Sequence, residues 1–299
     1  MSDAAPKPVV GIVGLGIMGM AYARNLLQSG FPVVGFDVAP AALAALTEAG
    51  GTVAATPRAV AEASDTILVA LASVEALQSV CAGPDGMIHS IRPDAVVVEM
   101  STFPLKAKDY CRDVFAPKGV HVLDCPVSGT GAQAAVRDLV LYASGDEAAA
   151  TRLRPVFDGF ARNTRYVGPF GAGTKLKFVA NHLVTIHNLA TAEALLLAQS
   201  SGLDLHMVFD AIRDGAGNSR MFEVRGPLMI EERYEPATMK MEVYMKDLAL
   251  ISDFAKDVKA PIPLMAAAVP FYVAALAAGR NQEDTAALFG VLKDMCRKD

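Results

Sequence analysis

A chain of 299 residues is long enough for two domains, and its 53 % hydrophobic and 20 % charged residues favour a buried core over a disordered chain. The formal net charge of −5, with basic residues scattered along the chain, gives no electrostatic reason to bind nucleic acid or an anionic membrane. We therefore expect neither as a partner.

The first half alternates β-branched runs with helical stretches, which is the pattern of parallel strands joined by right-handed crossovers. Strands are predicted at 9–13, 33–36, 66–70, 96–99 and 120–124, and helices at 22–28, 41–49 and 106–115. Two further strands, at 139–143 and 165–167, are expected to extend the same sheet. Residues 1–168 are thus predicted to form an α/β Rossmann domain with a doubly wound, mostly parallel sheet.

The second half shows no alternating strand pattern, so residues 169–299 are predicted to form an all-α domain for substrate binding and oligomerisation. Residues 174–201 contain neither glycine nor proline, which allows one helix about 40 Å long. Apolar residues on several of its sides predict a buried interdomain helix. Further helices are predicted at 205–213, 239–258, 264–278 and 285–295, and the apolar excess here predicts a homodimer or homotetramer.

The sequence gives no indication of a membrane or metal site. The opening residues MSDAAPKPVV lack a signal-peptide pattern, and the uncharged stretch 260–279 contains three prolines, which favours a buried helix over a membrane span. The four cysteines are widely spaced, as is typical of reduced thiols in a cytoplasmic protein. The five histidines show no metal-ligand spacing, so we expect no metal.

A dinucleotide-binding motif, GxGxxG, lies between the first predicted strand and the first helix. In this motif the glycines permit a tight turn, close approach of a pyrophosphate, and packing of the helix on the strand. The predicted loop comprises Gly14, Gly16, Ile17, Met18 and Gly19. Asp37, at the end of the second strand, is placed to accept hydrogen bonds from the adenosine ribose. Because its carboxylate would repel a 2′-phosphate, the expected cofactor is NAD rather than NADP.

Ligands of a doubly wound sheet bind beyond the carboxyl ends of its strands. Leu71 and Ala72 follow the third long strand, and Thr102 follows the next one. We expect Leu71 and Ala72 to lie along the adenosine and Thr102 to lie near the nicotinamide. The alternative for each residue is an ordinary packed strand end.

Two later segments carry polar groups that suit a small carboxylic acid. The segment DCPVSGTG contains the turn Ser128-Gly129-Thr130, which offers backbone N–H groups and two hydroxyls to a carboxylate. The segment GAGTKLKFVAN places Lys177 and Asn181 four residues apart on one face of the long helix. A lysine on an apolar helix often extends into solvent, but an asparagine one turn later favours a paired polar site.

These motifs make the chain resemble the β-hydroxyacid dehydrogenase family, which includes 3-hydroxyisobutyrate dehydrogenase, tartronate semialdehyde reductase and L-threonate dehydrogenase. Four motifs in the family's order carry the resemblance, which covers nearly the whole chain: GLGIMG, DCPVSGTG, GAGTKLKFVAN and MKDLAL. The resemblance implies reversible hydride transfer between a small 3-hydroxy acid and a nicotinamide cofactor.

The resemblance also implies roles for individual residues. Lys177 is then the general acid/base, and Asn181 helps to hold the substrate. Ser128 and Gly129 bind the substrate carboxylate and hydroxyl. The pair Lys246 and Asp247 completes the cofactor side, the alternative for this pair being an ordinary exposed pair of charges.

One position departs from the family pattern, because Thr130 stands where a second glycine usually follows Ser-Gly. Its side chain either narrows the pocket or bonds to the substrate. The segment GAGNSRMFE looks most like the L-threonate dehydrogenase branch, so we expect Asn218, Ser219 and Phe222 to line the pocket; a helix C-cap and turn is the alternative. A four-carbon sugar acid such as L-threonate is the leading substrate, ahead of 3-hydroxyisobutyrate and of tartronate or succinic semialdehyde.

Three other functions fit the sequence less well. An imine reductase usually lacks the lysine found here at position 177. A 6-phosphogluconate-type enzyme needs a larger helical domain and a cluster of basic residues for the phosphate. A non-catalytic dinucleotide-sensing module predicts loss of the Lys177–Asn181 pair, and both residues are present.

Overall fold

The computed structural model describes residues 6–296, which belong to two compact units, Met1–Lys177 and Phe178–Asp299. Residues 1–5, at the start of the segment that we expect to lack a signal peptide, lie outside the described residues, as do 297–299. The predicted domain boundary after residue 168 falls just before the longest helix, and it stays a prediction.

The first unit is built on a six-stranded parallel sheet with the strand order β3-β2-β1-β4-β5-β6. Its strands are β1 (Val10–Val13), β2 (Val33–Phe36), β3 (Thr52–Val53), β4 (Thr66–Val69), β5 (Val96–Glu99) and β6 (His121–Asp124). The order reverses between β1 and β4, which is the switch point of a doubly wound sheet. The predicted fold class is therefore confirmed.

Helices cover both faces of this sheet, which is why β1, β4 and β5 are buried along their whole length. Along β5, Val96 and Val98 contribute to one hydrophobic cluster, and Val97 contributes to the cluster on the other face. The helices of this unit are α1 (Ile17–Gln28), α2 (Pro40–Glu48), α3 (Pro57–Ala63), α4 (Val74–Ala82), α5 (Leu105–Phe115), α6 (Gly131–Ala135), α7 (Glu147–Arg152) and α8 (Arg154–Asp158).

The two strands expected to extend the main sheet instead belong to a separate three-stranded sheet, so that prediction is wrong. The second sheet has the order β7-β8-β9, with β7 (Val127–Ser128) antiparallel to β8 (Val140–Ala143), and β8 parallel to β9 (Asn163–Tyr166). The chain passes Pro126, which has no N–H to donate, and β8 pairs with the residues beyond it. Among the described residues, one isolated β-bridge connects the end of β6 with the second sheet. It pairs Asp124, the last residue of β6, with Ser144, which follows β8.

Within the described residues, the second unit is helical. Helix α9 (Ala172–Ser200) begins in the first unit and supplies the first 23 residues of the second, 178–200. It is followed by α10 (Leu205–Arg213), α11 (Arg220–Ile230), α12 (Met241–Asp257), α13 (Pro263–Ala277) and α14 (Leu288–Cys296). Residues 260–279 therefore contain the whole of helix α13, which has one buried face, and no described helix is long and apolar enough to cross a membrane.

In the single chain, helix α9 is buried along one stripe only, so the prediction of a buried helix with apolar residues on several sides holds for that stripe alone. Thr185, Asn188 and Ala192 lie in the buried stripe, at the three- and four-residue spacing of one helix face. Leu183 and Leu197 lie outside it and are 48 % and 70 % exposed. The stripe is thus partly polar, and large apolar side chains remain on the outside of the helix.

Candidate active site

The glycine loop after β1 has the geometry of a dinucleotide site. Gly14 has a φ of +93°, and a Cβ atom there would lie 2.2 Å from the carbonyl oxygen of Ala70. A Cβ atom on Gly19 would lie 1.9 Å from the carbonyl oxygen of Gly14. A Cβ atom on Gly16 would meet nothing within 4 Å. The open space over Gly16, at the N-terminus of α1, fits a pyrophosphate, whereas the other two glycines are required by packing.

Asp37 lies where the ribose of a dinucleotide is expected. Its Oδ2 accepts the N–H of Leu15 at 2.7 Å, and its Oδ1 accepts the N–H of Ala39 at 2.8 Å. The carboxylate is therefore fixed against the glycine loop, and each oxygen retains a lone pair for a ribose hydroxyl. The next side chain, Val38, is 88 % exposed and apolar, so it offers no charge to a 2′-phosphate.

The glycine loop contacts the segment that follows the predicted substrate turn. Ile17 is 78 % exposed, and a Cβ atom on Gly131 would lie 2.5 Å from its Cγ2. Met18 is half-buried and packs against the core. The structure therefore brings the predicted pyrophosphate loop and the end of DCPVSGTG together within the first unit.

The strand-end residues lie at the same carboxyl edge of the sheet. The backbone N–H of Leu71 donates to Ser101 Oγ at 2.9 Å, so the ends of β4 and β5 are linked. Leu71 and Thr102 are half-buried, and Ala72 is exposed. Their contacts with adenosine and nicotinamide remain predictions.

The predicted substrate turn is shaped by its glycine. Gly129 has a φ of +136°, and a Cβ atom there would lie 2.5 Å from Leu139 Cδ2. Ser128 precedes it at the end of β7 and is half-buried. The N–H of Thr130 donates to Gln133 Oε1 at 3.0 Å, and its hydroxyl lies 3.4 Å from the same oxygen. The polar groups of Thr130 thus interact locally, at the start of α6.

Helix α9 carries both residues of the predicted catalytic pair. Lys177 is half-buried, whereas Lys175 is exposed. Asn181 is buried, and its Nδ2 donates to Asp247 Oδ2 at 2.8 Å. Asp247 itself is buried, so it is not half of an exposed charged pair, although Lys246 is exposed. The carboxylate of Asp247 is thus the acceptor for the amide of Asn181, and the cofactor contacts of Lys246 and Asp247 remain predictions.

The residues expected to line the substrate pocket have local roles between the end of α10 and the start of α11. Ser219 Oγ accepts the N–H of Phe222 at 3.0 Å, which makes it the N-cap of this helix. Asn218 Nδ2 donates to the carbonyl of Arg213 at 2.8 Å. Phe222 is buried and stacks on Phe209 with ring centroids 5.2 Å apart. The segment directly follows the C-cap of α10 at Asp214 and contains the turn after that helix, as the alternative expected, and it then supplies the N-cap of α11. Its place in a substrate pocket stays a prediction.

Sequence reasoning missed a buried ionic cluster beneath the strand ends, which we call the Lys108 cluster (Lys108, Glu99 and Asp124). Lys108 Nζ lies 2.5 Å from Glu99 Oε2 and 2.8 Å from Asp124 Oδ1, and none of the three side chains is exposed. Burial by itself lowers the pKa of the Lys108 ammonium, but the carboxylates of Asp124 and Glu99 outweigh it and raise this pKa above its ordinary value. The sequence feature that could have indicated this cluster is an acidic residue at the end of each of two apolar strands, Glu99 on β5 and Asp124 on β6.

A separate cavity lies away from the carboxyl edge of the main sheet. It has a volume of about 710 Å³ and is lined by Phe31, Arg92, Asp94 and Arg152, at the amino-terminal edge of the main sheet, opposite the glycine loop. Within residues 6–296, no group of histidine, cysteine, aspartate and glutamate side chains is arranged to hold a metal ion.

Comparison with known proteins gives matches along nearly the whole chain. A family model described as the NAD binding domain of 6-phosphogluconate dehydrogenase matches residues 9–168. A second, described as NAD-binding of NADP-dependent 3-hydroxyisobutyrate dehydrogenase, matches residues 171–292. The L-threonate dehydrogenase of Cupriavidus necator is 32 % identical over 283 residues, which cover 94 % of this chain and 95 % of that protein.

Solved structures give the same result. The crystal structure of 3-hydroxyisobutyrate dehydrogenase from Salmonella typhimurium is 33 % identical with a TM-score of 0.83, and the match covers 95 % of this chain and 100 % of that one. The 3-hydroxyisobutyrate dehydrogenase of Mycobacterium tuberculosis, solved with L-serine, is 28 % identical with a TM-score of 0.86, covering 96 % and 99 %.

Proposed function

Because this chain belongs to the β-hydroxyacid dehydrogenase family, we propose that it oxidises a four-carbon sugar acid such as L-threonate, with Lys177 as the general acid/base. The family resemblance of its four motifs is confirmed, and the protein is an NAD(P)-dependent 3-hydroxyacid dehydrogenase. Bound NAD supplies the hydride acceptor, nicotinamide C4, for the hydrogen on the hydroxyl-bearing carbon.

The observation that carries the proposed mechanism is the pair on helix α9. Lys177 and the buried Asn181 lie one turn apart, and Asp247 fixes the amide of Asn181 through a hydrogen bond of 2.8 Å. In the proposal, Asn181 holds the substrate, and Lys177 accepts the hydroxyl proton as the hydride leaves. Ser128 and Gly129 bind the carboxylate, which orients the reacting carbon.

A lysine acts as a base only when it is neutral. The ordinary pKa of a lysine is about 10.4, so the neutral fraction grows as the pH rises towards that value. Oxidation of the hydroxy acid is therefore expected to be faster at alkaline pH, and the reverse reduction, in which Lys177 donates the proton, is expected to be favoured at lower pH.

The choice of L-threonate rests on the segment GAGNSRMFE and on the likeness to L-threonate dehydrogenase. The likeness to two 3-hydroxyisobutyrate dehydrogenases makes 3-hydroxyisobutyrate the second candidate, and L-serine the third. Initial rates with NAD on these three acids test the substrate. The highest kcat/KM is expected for L-threonate, and a higher value for either of the others would contradict this choice.

We also propose that the protein assembles through its helical unit into a dimer or tetramer. Support comes from the large apolar side chains on the outside of this unit, of which Leu197 is 70 % exposed and Leu264 is 65 % exposed. Light scattering at micromolar concentration tests this proposal. A single species with the mass of one chain, 31.4 kDa, would contradict it.

A further inference from the structure

The Lys108 cluster joins one ammonium and two carboxylates inside the first unit. Lys108 extends from α5, whereas Glu99 and Asp124 end the neighbouring strands β5 and β6. With all three groups ionised the cluster carries a net charge of −1 and has no solvent to screen it. Such a cluster is a poor source of stability, because removing three charges from water costs as much as their attraction returns.

Three other titratable side chains surround the cluster, and all of them are uncharged at neutral pH. Burial, and to a smaller extent the charge of Glu99, raise the pKa of Tyr22. Burial and the charge of Asp124 raise the pKa of Cys125. The hydrogen bond with Cys81, together with burial, raises the pKa of Cys111. Among these groups, Lys108 is therefore the only one that supplies a positive charge to the two carboxylates.

The carboxylate of Asp124 also holds the first turn of helix α9. Its Oδ2 accepts the N–H of Thr174 at 2.7 Å, and its Oδ1 accepts the Thr174 hydroxyl at 2.8 Å. Ser144 Oγ accepts the N–H of Gly173 at 2.9 Å and donates to the Asp124 carbonyl at 2.9 Å. A Cβ atom on Gly173 would lie only 2.7 Å from that carbonyl, so the helix start is packed directly on β6. A negative charge at a helix N-terminus strengthens these bonds.

Thr174 and Lys177 are three residues apart, so they lie on the same face of α9. The position of the first turn therefore determines the position of Lys177. On the opposite side of the cluster, Glu99 Oε1 accepts the N–H of Ser101 at 2.9 Å, and Ser101 in turn binds the N–H of Leu71. One buried network thus connects the strand ends predicted to hold the cofactor with the helix that carries the lysine.

We propose that Lys108 is a positioning residue for proton transfer: its ammonium holds the carboxylate of Asp124 in place through an ion pair of 2.8 Å, so that Asp124 fixes the start of α9 and thereby places Lys177. The proposal rests on the proposed role of Lys177. Without Lys108, the neighbouring buried carboxylates of Glu99 and Asp124 have no opposite charge between them, which is strongly unfavourable. Asp124 then no longer holds Thr174 in place, and the first turn of α9 loosens.

The first test compares Lys108→Met with Lys106→Met, which removes an exposed lysine from the same helix. The assay uses NAD with whichever of L-threonate, 3-hydroxyisobutyrate and L-serine gives the highest wild-type kcat/KM. For Lys108→Met, kcat is expected to fall about 10- to 100-fold, as for a misplaced catalytic group. NADH affinity, measured by NADH fluorescence, is expected to be unchanged, because the glycine loop and Asp37 hold the cofactor. Wild-type kcat in Lys108→Met would overturn the proposal.

Two further measurements separate positioning from a general loss of structure. Hydrogen–deuterium exchange is expected to be faster in Lys108→Met at the amides of Gly173 and Thr174, and unchanged in Lys106→Met. The double variant Lys108→Met/Glu99→Gln leaves Asp124 as the only acid of the cluster, so kcat and slow exchange are expected to return. Failure of the double variant to recover either quantity would overturn the proposal.

If Lys108→Met does not fold, the variant Ser144→Ala/Thr174→Val decides the question, since it weakens the link to α9 and leaves the cluster in place. Reduced kcat with unchanged NADH affinity supports the proposal, and wild-type kcat overturns it. The variant Lys177→Gln separates a failure of the proposed function from a failure of the positioning role of Lys108. An active Lys177→Gln enzyme overturns the proposed function, whereas an inactive one beside a fully active Lys108→Met overturns the positioning role alone.

Discussion

Two regions of the site are held in different ways, the glycine loop with the turn at Gly129 and the amide of Asn181. The loop and the turn are shaped by their glycines, since an added Cβ atom on Gly14, Gly19 or Gly129 would strike a neighbouring atom. In the second unit the key polar group, the amide of Asn181, is held by another side chain, Asp247. Backbone sites tolerate changes in neighbouring side chains, whereas a site held by side chains depends on each partner. Binding of the cofactor and chemistry on the substrate are therefore expected to respond to different substitutions.

The largest effect is expected at Lys177, where chemistry and cofactor binding separate most clearly. Lys177→Ala is expected to lower kcat about 10²- to 10⁴-fold, the usual contribution of a general acid/base. NADH affinity is expected to stay close to that of the wild type. Lys175→Ala is the matched control, because Lys175 is exposed on another side of α9. Retention of more than about a tenth of kcat by Lys177→Ala would refute the assignment.

The second largest effect is expected in the choice between NAD and NADP, which depends on the group that binds the adenosine ribose. Asp37 is fixed by two backbone N–H groups and cannot turn away from a 2′-phosphate without losing both bonds. A preference for NAD over NADP of about 10- to 100-fold in kcat/KM is expected, which corresponds to roughly 1–3 kcal/mol. The measurement is a kinetic comparison of the two cofactors at one set of substrate concentrations. Equal values would show that a basic residue elsewhere compensates for Asp37.

The glycine loop allows binding to be separated from folding. Gly19→Ala places a Cβ atom 1.9 Å from a backbone oxygen and is expected to lower the free energy of unfolding by roughly 1–3 kcal/mol. Gly16→Ala meets no protein atom within 4 Å, so stability is expected to change little, while NADH affinity falls by about tenfold or more. Thermal denaturation and NADH titration provide the two readings. Undiminished NADH binding by Gly16→Ala would show that the pyrophosphate does not lie over this residue.

The smallest effect is expected at Asp247, where the dependence on side chains is tested directly. Asp247→Ala leaves the amide of the buried Asn181 without its acceptor, and kcat/KM for the hydroxy acid is expected to fall by about tenfold. NADH affinity distinguishes the two assignments of Asp247. An unchanged NADH affinity supports its role beside Asn181, and a comparable loss of NADH affinity would return it to the cofactor side.

The main sheet was largely predictable because its buried strands contain consecutive apolar residues, three in each of β4 and β5. The strands β3 and β7 were missed because two residues are too few to show a period. Helices α3 and α4 were not predicted, because they are short. The local features that could have indicated them are their capping side chains, Thr56 and Ser73.

The site was predictable only where local spacing determines the geometry. The glycine loop and the Lys177–Asn181 pair are defined by a turn and by one helix. Lys108 was missed because its partners are strand ends brought to it by the fold, and α5 has the mixed charges of an ordinary surface helix. Asn218 and Ser219 make local contacts, Asn218 with the end of α10 and Ser219 with the start of α11, and spacing alone does not distinguish a cap from a ligand.

The most direct test of the central assignment is the pH dependence of kcat for hydroxy-acid oxidation in the wild type and in Lys177→Ala. If Lys177 accepts the substrate proton, wild-type kcat rises with pH as the lysine becomes neutral. The variant is expected to be slow and to lack this rise. The same pH-dependent rise in Lys177→Ala would contradict the account, because another group would then be the base.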